Sequence, residues 1–281
     1  MTPVFALALL AAGGGALVLI WSLLRDRHRE LWKRIRALEA DVGHLRAQLV
    51  DARKNFALLR TPSLRLAPAM PSQHGEDLIL WQFFDGSRIG FFVEAGAFDG
   101  YQLSNTYFLE AAGWTGLLVE PNPDRFADCR RKRPYSRCVH AALVGPAEGP
   151  SVTLRIPRGG DGYFEPLAYS TRTEEHELRF ARAGVRLDEV EVPAATLELL
   201  LEGAVPPIQL LSLDLEGGEL EALRGLAFDR WRPEVVLVED NSQGRFSDVR
   251  RHLSSVGYVE QLRLGSNVFY LRRDDARSLS V

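Results

Sequence analysis

The stretch Phe91–Gly100, FFVEAGAFDG, decides the fold of this chain. Its first three residues are apolar and predict a short buried strand of a parallel sheet. Glu94 falls where that strand ends, and Gly96 and Gly100 bracket the turn that follows. Glycine lets a main chain turn sharply and lets another group approach the backbone closely. The stretch therefore predicts a strand that ends in a carboxylate beside an open backbone turn.

The spacing around this turn narrows the kind of ligand. An acid at the carboxyl end of a strand can accept hydrogen bonds from ligand hydroxyl or amino groups, as nucleoside-type cofactors require. The dinucleotide fingerprint G-x-G-x-x-G would need glycine at Glu94 and again at Asp99, so an NAD-dependent oxidoreductase is disfavoured. The spacing present, acid-x-Gly-x-x-x-Gly, is similar to the first motif of S-adenosylmethionine-dependent methyltransferases.

Strands and helices alternate after this turn. Residues 104–112 predict a helix capped by Ser104 or Asn105, and Gly116–Val119 predicts a second strand that ends in Glu120. In a doubly wound sheet, an acid at the end of the second strand accepts hydrogen bonds from both ribose hydroxyls of the cofactor. A solvated acid at a strand end is the alternative.

Further apolar segments complete the predicted sheet. Three further strands are predicted, the last two of which end at acids, and a final pair is joined by a Gly-Ser turn, which predicts an antiparallel edge. The predicted fold is an α/β, Rossmann-like, doubly wound and mostly parallel seven-stranded sheet with an antiparallel C-terminal edge. The ligand crevice is expected at the carboxyl ends of the strands. The segments are Ser136–Leu143; Ile208–Leu213, followed by Asp214 and Glu216; Val235–Val238, followed by Glu239 and Asn241; Val259–Leu264; and Asn267–Leu271.

A looser segment, Pro157–Glu189, interrupts this alternation. It is long enough to serve as a lid or substrate loop beside the crevice. Its Tyr163 and Tyr169 can stack on a sugar ring, or they can anchor the loop on the core. The sequence leaves both interpretations open.

Composition limits the class of protein. The 281 residues are 46% apolar and 25% charged, which indicates one good-sized globular domain and an appendage. The net charge of -3 gives no electrostatic reason to expect nucleic acid as a partner. The two cysteines, Cys129 and Cys138, form neither a disulfide framework nor a zinc site without further ligands, and we interpret them as reduced thiols.

The appendage is predicted to begin with a membrane anchor, residues 1–24. Its apolar run from Pro3 to Leu24, as a helix rising about 1.5 Å per residue, spans a hydrocarbon core of roughly 30 Å. A cleaved signal peptide is the alternative, but no Lys or Arg precedes the run. Basic residues follow it, so the positive-inside rule predicts a single-pass membrane protein whose globular domain is cytoplasmic.

Residues 25–60 predict a basic juxtamembrane segment and a coiled-coil helix. Apolar residues recur there at steps of four and three, a heptad seam that favours a parallel homodimer. A single amphipathic helix on the membrane or on the domain is the alternative. Residues 61–71 are a proline-containing linker, 72–272 the globular domain and 273–281 a tail. The seam consists of Leu31, Ile35, Leu38, Val42, Leu45, Leu49, Ala52, Phe56 and Leu59.

An ordered string of motifs carries a resemblance to a known family. The motifs are Ser72-Gln73, Gly75-Glu76-Asp77, Phe92–Gly100 (FVEAGAFDG), Ser104-Asn105-Thr106, Gly113-Trp114, Leu117–Pro123 (LLVEPNP), Leu211–Leu220 (LSLDLEGGEL) and Val238–Asn241 (VEDN). With them, roughly Ser72 to Arg272 resembles the FkbM family of methyltransferases. Two positions depart from the family: His140, where Asn is frequent, and Asp240, where His is more common.

The resemblance implies a class I methyltransferase fold that uses S-adenosyl-L-methionine to methylate hydroxyls, frequently of sugars or polyketide-like products. By position, it implies that Glu94, Gly96 and Asp99 line the cofactor, that Glu120 holds the ribose, and that Asp214 and Glu216 face the substrate as catalytic residues. We also expect Gly100, Asn122 and Ala141 beside the cofactor. The residues expected beside the substrate are Tyr163, Tyr169, Glu239 and Asn241.

Methyl transfer to oxygen requires alignment of donor and acceptor, exclusion of water and a base, because a hydroxyl is a poor nucleophile until its proton leaves. Asp214 is the predicted base, with a pKa raised by neighbouring acids. Its alternative role is to cap the helix that begins near Gly218 or to accept hydrogen bonds from nearby backbone donors.

Two further hypotheses stay open. Mg²⁺ or Ca²⁺ can lower the pKa of the acceptor hydroxyl, since the strand ends offer oxygen ligands at Asp214, Glu216, Glu239, Asp240 and Asn241. A membrane-tethered binding or scaffold protein that keeps the fold without turnover is the alternative to an enzyme. For an enzyme, the predicted anchor favours a glycan or glycolipid acceptor.

Overall fold

The computed structural model describes residues 33–34, 38, 69–158, 168, 170, 180, 185–203, 207–241 and 247–279. The chain divides into two compact units, residues 1–56 and 57–281. In the first unit the structure describes Lys33, Arg34 and Leu38, which are helical and exposed. Within the described ranges, no helix is both long and apolar enough to cross a membrane. The predicted anchor and nearly all of the predicted coiled coil lie outside those ranges and stay predictions.

The described strands and helices follow the predicted alternation. The strands are β1 Phe91–Ala95, β2 Thr115–Val119, β3 Arg137–Val139, β4 Ala142–Leu143, β5 Ser151–Arg158, β6 Arg186–Ala195, β7 Leu210–Leu213, β8 Val235–Glu239, β9 Tyr258–Leu264 and β10 Asn267–Arg272. The helices are α1 Glu76–Phe83, α2 Tyr107–Ala112, α3 Pro123–Lys132, α4 Leu197–Leu200, α5 Glu219–Arg224, α6 Phe228–Trp231 and α7 Asp248–Ser255.

Seven strands form the main sheet, in the order β3-β2-β1-β7-β8-β10-β9. Strand β1 is parallel to β2 on one side and to β7 on the other, which sets Glu94 level with Leu118 and Ser212. Strand β10 is antiparallel to both of its neighbours. The predicted sheet is therefore confirmed. Its strand order reverses between β1 and β7, and such a reversal opens a ligand crevice at the carboxyl ends of the strands.

A second sheet, in the order β4-β6-β5, was not expected from the sequence. The prediction of one third strand, Ser136–Leu143, was wrong, because this segment divides into β3 and β4, which join different sheets. The break falls at His140, whose Nε2 atom lies 2.8 Å from the carbonyl oxygen of Pro121. Its ring also stacks on Phe126, with centroids 5.2 Å apart. These contacts hold His140 against the β2–α3 connection, where the chain leaves the main sheet.

Apolar side chains cover both faces of the main sheet. On one face Val93 belongs to a core that includes Leu253 of α7. On the other face Phe92 belongs to a core with Leu80 of α1 and Phe108 of α2. Because alternate strand residues point to opposite faces, each strand contributes to both cores. The polar residues at the strand ends are therefore gathered at the carboxyl edge.

Candidate active site

A cavity opens at the carboxyl edge of the main sheet. The segments that follow β1, β2 and β7 form most of its walls, and the end of β8 and residues of the second sheet also contribute. Seven of the residues that the sequence singles out line this cavity: Glu94, Gly96, Glu120, Asn122, Asp214, Glu216 and Glu239.

Gly96 brings the turn after β1 into direct contact with the end of β7. Its φ of +79° is in the left-handed region, and a Cβ there would lie 1.8 Å from the carbonyl oxygen of Asp214. Only glycine fits this position. The Gly96 N–H donates to the Val119 carbonyl oxygen at 3.0 Å. The turn therefore ties together the ends of β1, β2 and β7 and presents bare backbone to the cavity.

Glu120 is buried at the end of β2, with 5% of its surface exposed. Its Oε2 accepts a hydrogen bond from the Phe98 N–H at 2.7 Å, and its Oε1 accepts one from the Asn122 N–H at 2.8 Å. Burial raises the pKa of Glu120 to about 7, although both amides and Arg125 act in the opposite direction. A carboxylate has about four acceptor positions. The two that these amides leave match the two vicinal hydroxyls of a ribose.

Glu94 is also buried and lines the cavity, but its carboxylate already serves the protein. It accepts hydrogen bonds from the Ser104 hydroxyl at 2.9 Å, the Asn105 N–H at 2.8 Å and the Thr106 hydroxyl at 2.7 Å. Arg133, which is fully buried, lies 3.4 Å from it. Glu94 thereby fixes residues 104–106 above the cavity, and direct contact of its carboxylate with a cofactor stays a prediction.

Asp99 and Gly100 lie behind the turn rather than in the cavity wall. Asp99 accepts hydrogen bonds from the backbone N–H groups two and three residues later, at 2.9 and 2.8 Å, and from Lys132 Nζ at 2.5 Å. Burial favours a higher pKa for Asp99, but these hydrogen bonds outweigh it and lower the pKa to about 2. Gly100, with a φ of +78°, packs against Arg133. Both residues shape the turn, and neither position supports the predicted direct contact with the cofactor.

Asp214 lies in a cluster of acids. One carboxylate oxygen each from Asp214, Glu219 and Glu239 lie within 4.8 Å of one another. Burial, followed by repulsion from Glu239 and Glu216, raises the pKa of Asp214 well above its usual range. Burial and then Glu216 also raise the pKa of Glu239. Asp214 is nevertheless exposed to the cavity. Its carboxyl group can therefore exchange a proton with a bound molecule.

Glu219 was missed by sequence reasoning, although it closes the loop after β7. Its Oε1 accepts hydrogen bonds from the backbone N–H groups four and two residues earlier, at 2.8 and 3.2 Å. Burial raises its pKa to about 7, against the effect of these hydrogen bonds. Helix α5 has Gly218 at its N-cap and no side-chain cap. The alternative role of Asp214 as a helix cap is therefore wrong.

The last residue of β8 and the two residues after it have different surroundings. Glu239 lines the cavity, whereas the Asp240 carboxylate accepts from Arg263 Nη2 at 3.3 Å and is buried. Asn241 is exposed and lies outside the cavity wall. The predicted oxygen-ligand set is therefore not assembled as a whole, because Asp240 is committed to Arg263.

Three other predicted site residues remain to be placed. Ala141 is buried next to β4, outside the cavity wall, so its position does not support contact with the cofactor. Tyr163 and Tyr169 lie outside the described residues. Their predicted contact with the substrate stays a prediction.

Six polar residues that the sequence did not assign to the site line the cavity: Gln73, Gln102, Ser104, Asn105, Ser170 and Ser212. Asn105 Nδ2 donates to Ser212 Oγ at 3.1 Å. The available signal was the Ser-Asn-Thr motif, which we interpreted as a helix cap. Ser104 Oγ does accept from the backbone N–H groups two and three residues later, at 3.2 and 3.0 Å, as a capping side chain does, but α2 begins only at Tyr107 with Thr106 as its N-cap.

These features fit an adenosine-containing cofactor. Gly96 lets the turn after β1 lie directly against the end of β7 in the cavity wall, because a side chain there would meet the Asp214 carbonyl oxygen. Glu120 offers open acceptor positions, and Asn122 caps α3 beside it. A sheet of this order, with a glycine turn after β1 and an acid after β2, defines a Rossmann-like methyltransferase fold.

The chain belongs to the FkbM methyltransferase family. The model of the methyltransferase FkbM domain matches residues 94–260. This confirms the resemblance inferred from the motifs and assigns the domain to the S-adenosylmethionine-dependent methyltransferases. Comparison with curated proteins gives no match.

Solved structures show distant likenesses. A TehB-like SAM-dependent methyltransferase from Corynebacterium glutamicum is 13% identical, with 79% of this chain and 98% of that chain covered and a TM-score of 0.37. A precorrin-6y C5,15-methyltransferase from Geobacter metallireducens is 12% identical, with 72% and 87% covered and a TM-score of 0.38. An O-methyltransferase from Bacillus cereus in complex with SAH is 10% identical, with 80% and 89% covered and a TM-score of 0.37.

Proposed function

We propose that this chain methylates a hydroxyl group of a sugar-like acceptor, with S-adenosyl-L-methionine as the methyl donor. The observation that carries this proposal is the position of Asp214, which opens onto the cavity beside other acids. Burial and repulsion raise its pKa well above that of an ordinary aspartate. A carboxylate with a raised pKa is a stronger base, as removal of a hydroxyl proton requires.

The cofactor supplies an electrophilic methyl group when it is bound. Glu120 accepts hydrogen bonds from the two ribose hydroxyls at the acceptor positions that the Phe98 and Asn122 N–H groups leave open. Gly96, which has no side chain to clash with the end of β7, places bare backbone in the cavity wall beside the cofactor site. These contacts bind and orient the donor, and alignment of the two reactants provides much of the rate in such reactions.

Asp214 takes the proton of the acceptor hydroxyl as the acceptor oxygen bonds to the methyl group. The proton ends on the Asp214 carboxyl, which is within hydrogen-bonding reach of Glu239. The bound cofactor would supply the methyl group and would lose its positive charge in doing so, which would balance the proton that Asp214 receives. Asp214 and Glu239 then hold the proton between them until it passes to water.

The experiment is transfer of a tritiated methyl group to a panel of acceptors, comprising free sugars, glycolipids and membrane glycans. We expect Asp214→Asn to lower kcat by about 10²- to 10⁴-fold while cofactor affinity stays within about twofold. The matched control is Asp229→Asn, at an exposed aspartate of α6, which should keep full activity. Full turnover by Asp214→Asn would exclude Asp214 as the base. A folded wild-type chain that binds the cofactor but methylates no acceptor would favour the scaffold alternative.

We further propose that residues 1–24 anchor the chain in a membrane with the methyltransferase domain in the cytoplasm, and that residues 25–60 pair two copies. The uncharged apolar run, the basic residues after it and the heptad seam support this proposal. Protease treatment of sealed vesicles distinguishes the two orientations, because a cytoplasmic domain is digested only by protease on the cytoplasmic side of the membrane. Retention of the chain in the soluble fraction after lysis would contradict the anchor.

A further inference from the structure

Asn105 presents an unpartnered polar atom to the cavity. Its side chain is 8% exposed and lines the cavity wall. The Nδ2 atom donates to Ser212 Oγ at 3.1 Å, whereas Oδ1 is buried and has no hydrogen-bond partner in the described part of the chain. Buried polar atoms are nearly always paired, so each exception calls for a specific explanation. The position of Asn105 in the cavity wall supports one such explanation, namely that Oδ1 accepts a hydrogen bond from a bound ligand.

The protein holds Asn105 in this position. Its backbone N–H donates to Glu94 Oε1 at 2.8 Å, and the hydroxyls of the flanking Ser104 and Thr106 donate to the same carboxylate at 2.9 and 2.7 Å. Arg133 Nη2 in turn donates to the Thr106 hydroxyl at 2.8 Å. The residue is therefore fixed at its backbone and at its amide nitrogen. Such a fixed group is pre-organised for a ligand.

The contact with Ser212 places the Asn105 side chain towards β7, away from the ribose position at Glu120. Glu120 follows β2, Gly96 follows β1, and Ser212 lies on β7, so the Asn105–Ser212 pair is two strands away from Glu120. With strands about 4.8 Å apart, the separation is roughly 10 Å. A cofactor whose ribose lies at Glu120 and whose sulfur lies above the Gly96 turn extends its amino-acid end in this direction.

The charged side chains of the cavity indicate which chemical group of a ligand binds next to Asn105. Carboxylates of Asp214, Glu216 and Glu239 line the same cavity, whereas the Glu94 carboxylate is paired with Arg133 at 3.4 Å. In the described part of the wall, no Lys or Arg side chain is present. These surroundings favour a cationic donor over a carboxylate or a phosphate. An ammonium group offers the positive charge that these acids favour and the hydrogen-bond donor that Oδ1 lacks.

We propose that Asn105 Oδ1 accepts a hydrogen bond from the ammonium group of S-adenosyl-L-methionine, so that Asn105 and Ser212 form the subsite for the amino-acid end of the cofactor. This inference rests on the cofactor of the proposed function. It gives the Ser-Asn-Thr motif a binding role, since Ser104 and Thr106 position the asparagine between them.

The test is calorimetric titration of the full chain in detergent with three ligands. These are S-adenosyl-L-methionine, its analogue without the amino group, and 5′-methylthioadenosine, which lacks the whole amino-acid end. Asn105→Leu keeps the approximate shape of the side chain but has no hydrogen-bond acceptor. We expect it to weaken the binding of S-adenosyl-L-methionine roughly tenfold or more. It should change the affinities for the other two ligands by less than about twofold. Asn105→Asp, which keeps acceptor oxygens and adds negative charge, should bind S-adenosyl-L-methionine at least as tightly as the wild type.

The controls separate this inference from the proposed function. Gln261→Leu removes an exposed amide from β9, outside the cavity wall, and should leave all three affinities unchanged. Thermal unfolding of each variant verifies that it is folded. If Asn105→Leu lost affinity equally for all three ligands, or lost no affinity for S-adenosyl-L-methionine, the proposed subsite would be overturned. Weaker binding by Asn105→Asp would show that the amide N–H makes the contact and would overturn it also. A wild-type chain that binds none of the three ligands would refute the proposed function itself.

Discussion

Replacement of Glu120 by Gln tests how the buried carboxylate is held ready for the cofactor. The pKa of Glu120 is raised from 4.5 to about 7, chiefly by burial. Between these two values the folded chain keeps a proton that the unfolded chain has lost. The stability associated with Glu120 is therefore complete below about pH 4.5 and decreases as pH rises through 7. This interval corresponds to about 3 kcal/mol, of which about 2–3 kcal/mol falls between pH 5 and pH 8.

Glu120→Gln removes this pH dependence. The variant also carries a penalty of about 1–3 kcal/mol at every pH, because the new amide NH₂ faces either the Phe98 or the Asn122 N–H. The assay is urea unfolding of both proteins at pH 5 and pH 8. We expect the stability difference, variant minus wild type, to increase by about 2–3 kcal/mol from pH 5 to pH 8. The control Glu148→Gln, at an exposed position, should show no such change.

Cofactor binding should mirror this behaviour. Ribose hydroxyls donate to the ionised carboxylate, so the affinity of the wild type for S-adenosyl-L-methionine should rise between pH 5 and pH 8. The Glu120→Gln variant should bind the cofactor about 10- to 100-fold more weakly at pH 8, consistent with loss of hydrogen bonds to a charged group. An unchanged stability difference between the two pH values would refute the reasoning about burial. Unchanged affinity would refute the ribose assignment.

Three further predictions concern the glycine turn, its support and metal dependence. Gly96→Ala should destabilise the fold by about 4 kcal/mol or more in urea unfolding because its Cβ meets backbone, whereas Gly203→Ala, with a similar φ of +80° but open space, should cost only about 1–2 kcal/mol. Equal losses would contradict the steric account. Arg133→Met should cost about 3–5 kcal/mol since it leaves buried Glu94 and Glu110 unpaired, and the exposed control Arg131→Met should stay within about 0.5 kcal/mol. Methyl transfer should withstand EDTA if Asp214 is the base, and a loss that Mg²⁺ or Ca²⁺ restores would support the metal hypothesis instead.

The sheet and the location of the site were predictable for one physical reason. Apolar runs that alternate with helices form parallel strands, and parallel strands place their carboxyl ends at one edge. Glu120 and Asp214, although 94 positions apart in the sequence, therefore belong to one cavity. The final hairpin was predictable from the Gly265-Ser266 turn between two apolar segments.

The roles of similar acids were not predictable, because they depend on partners elsewhere in the chain. Glu94 and Glu120 look alike in sequence, each at the end of an apolar strand. The structure gives Glu94 three donors from residues 104–106, whereas Glu120 has two backbone donors and faces the cavity with open positions. The partner of Asn105 on β7 lies 107 residues away. Local periodicity contains no information on such contacts.

The second sheet exceeded what the sequence could specify for a similar reason. The two residues of β4 pair with the end of β6, which follows the insertion in the chain. A continuous strand over Ser136–Leu143 satisfied the hydrophobic pattern equally well. The contacts of His140 with Pro121 and Phe126 mark the division, and they involve the β2–α3 connection and helix α3.

The most direct test of the central claim is calorimetric titration of the full chain with S-adenosyl-L-methionine and, separately, with NADH. The account predicts binding of S-adenosyl-L-methionine in the micromolar range that weakens in Glu120→Gln, and no binding of NADH. A folded chain that binds neither ligand, or that binds NADH in preference, would contradict it.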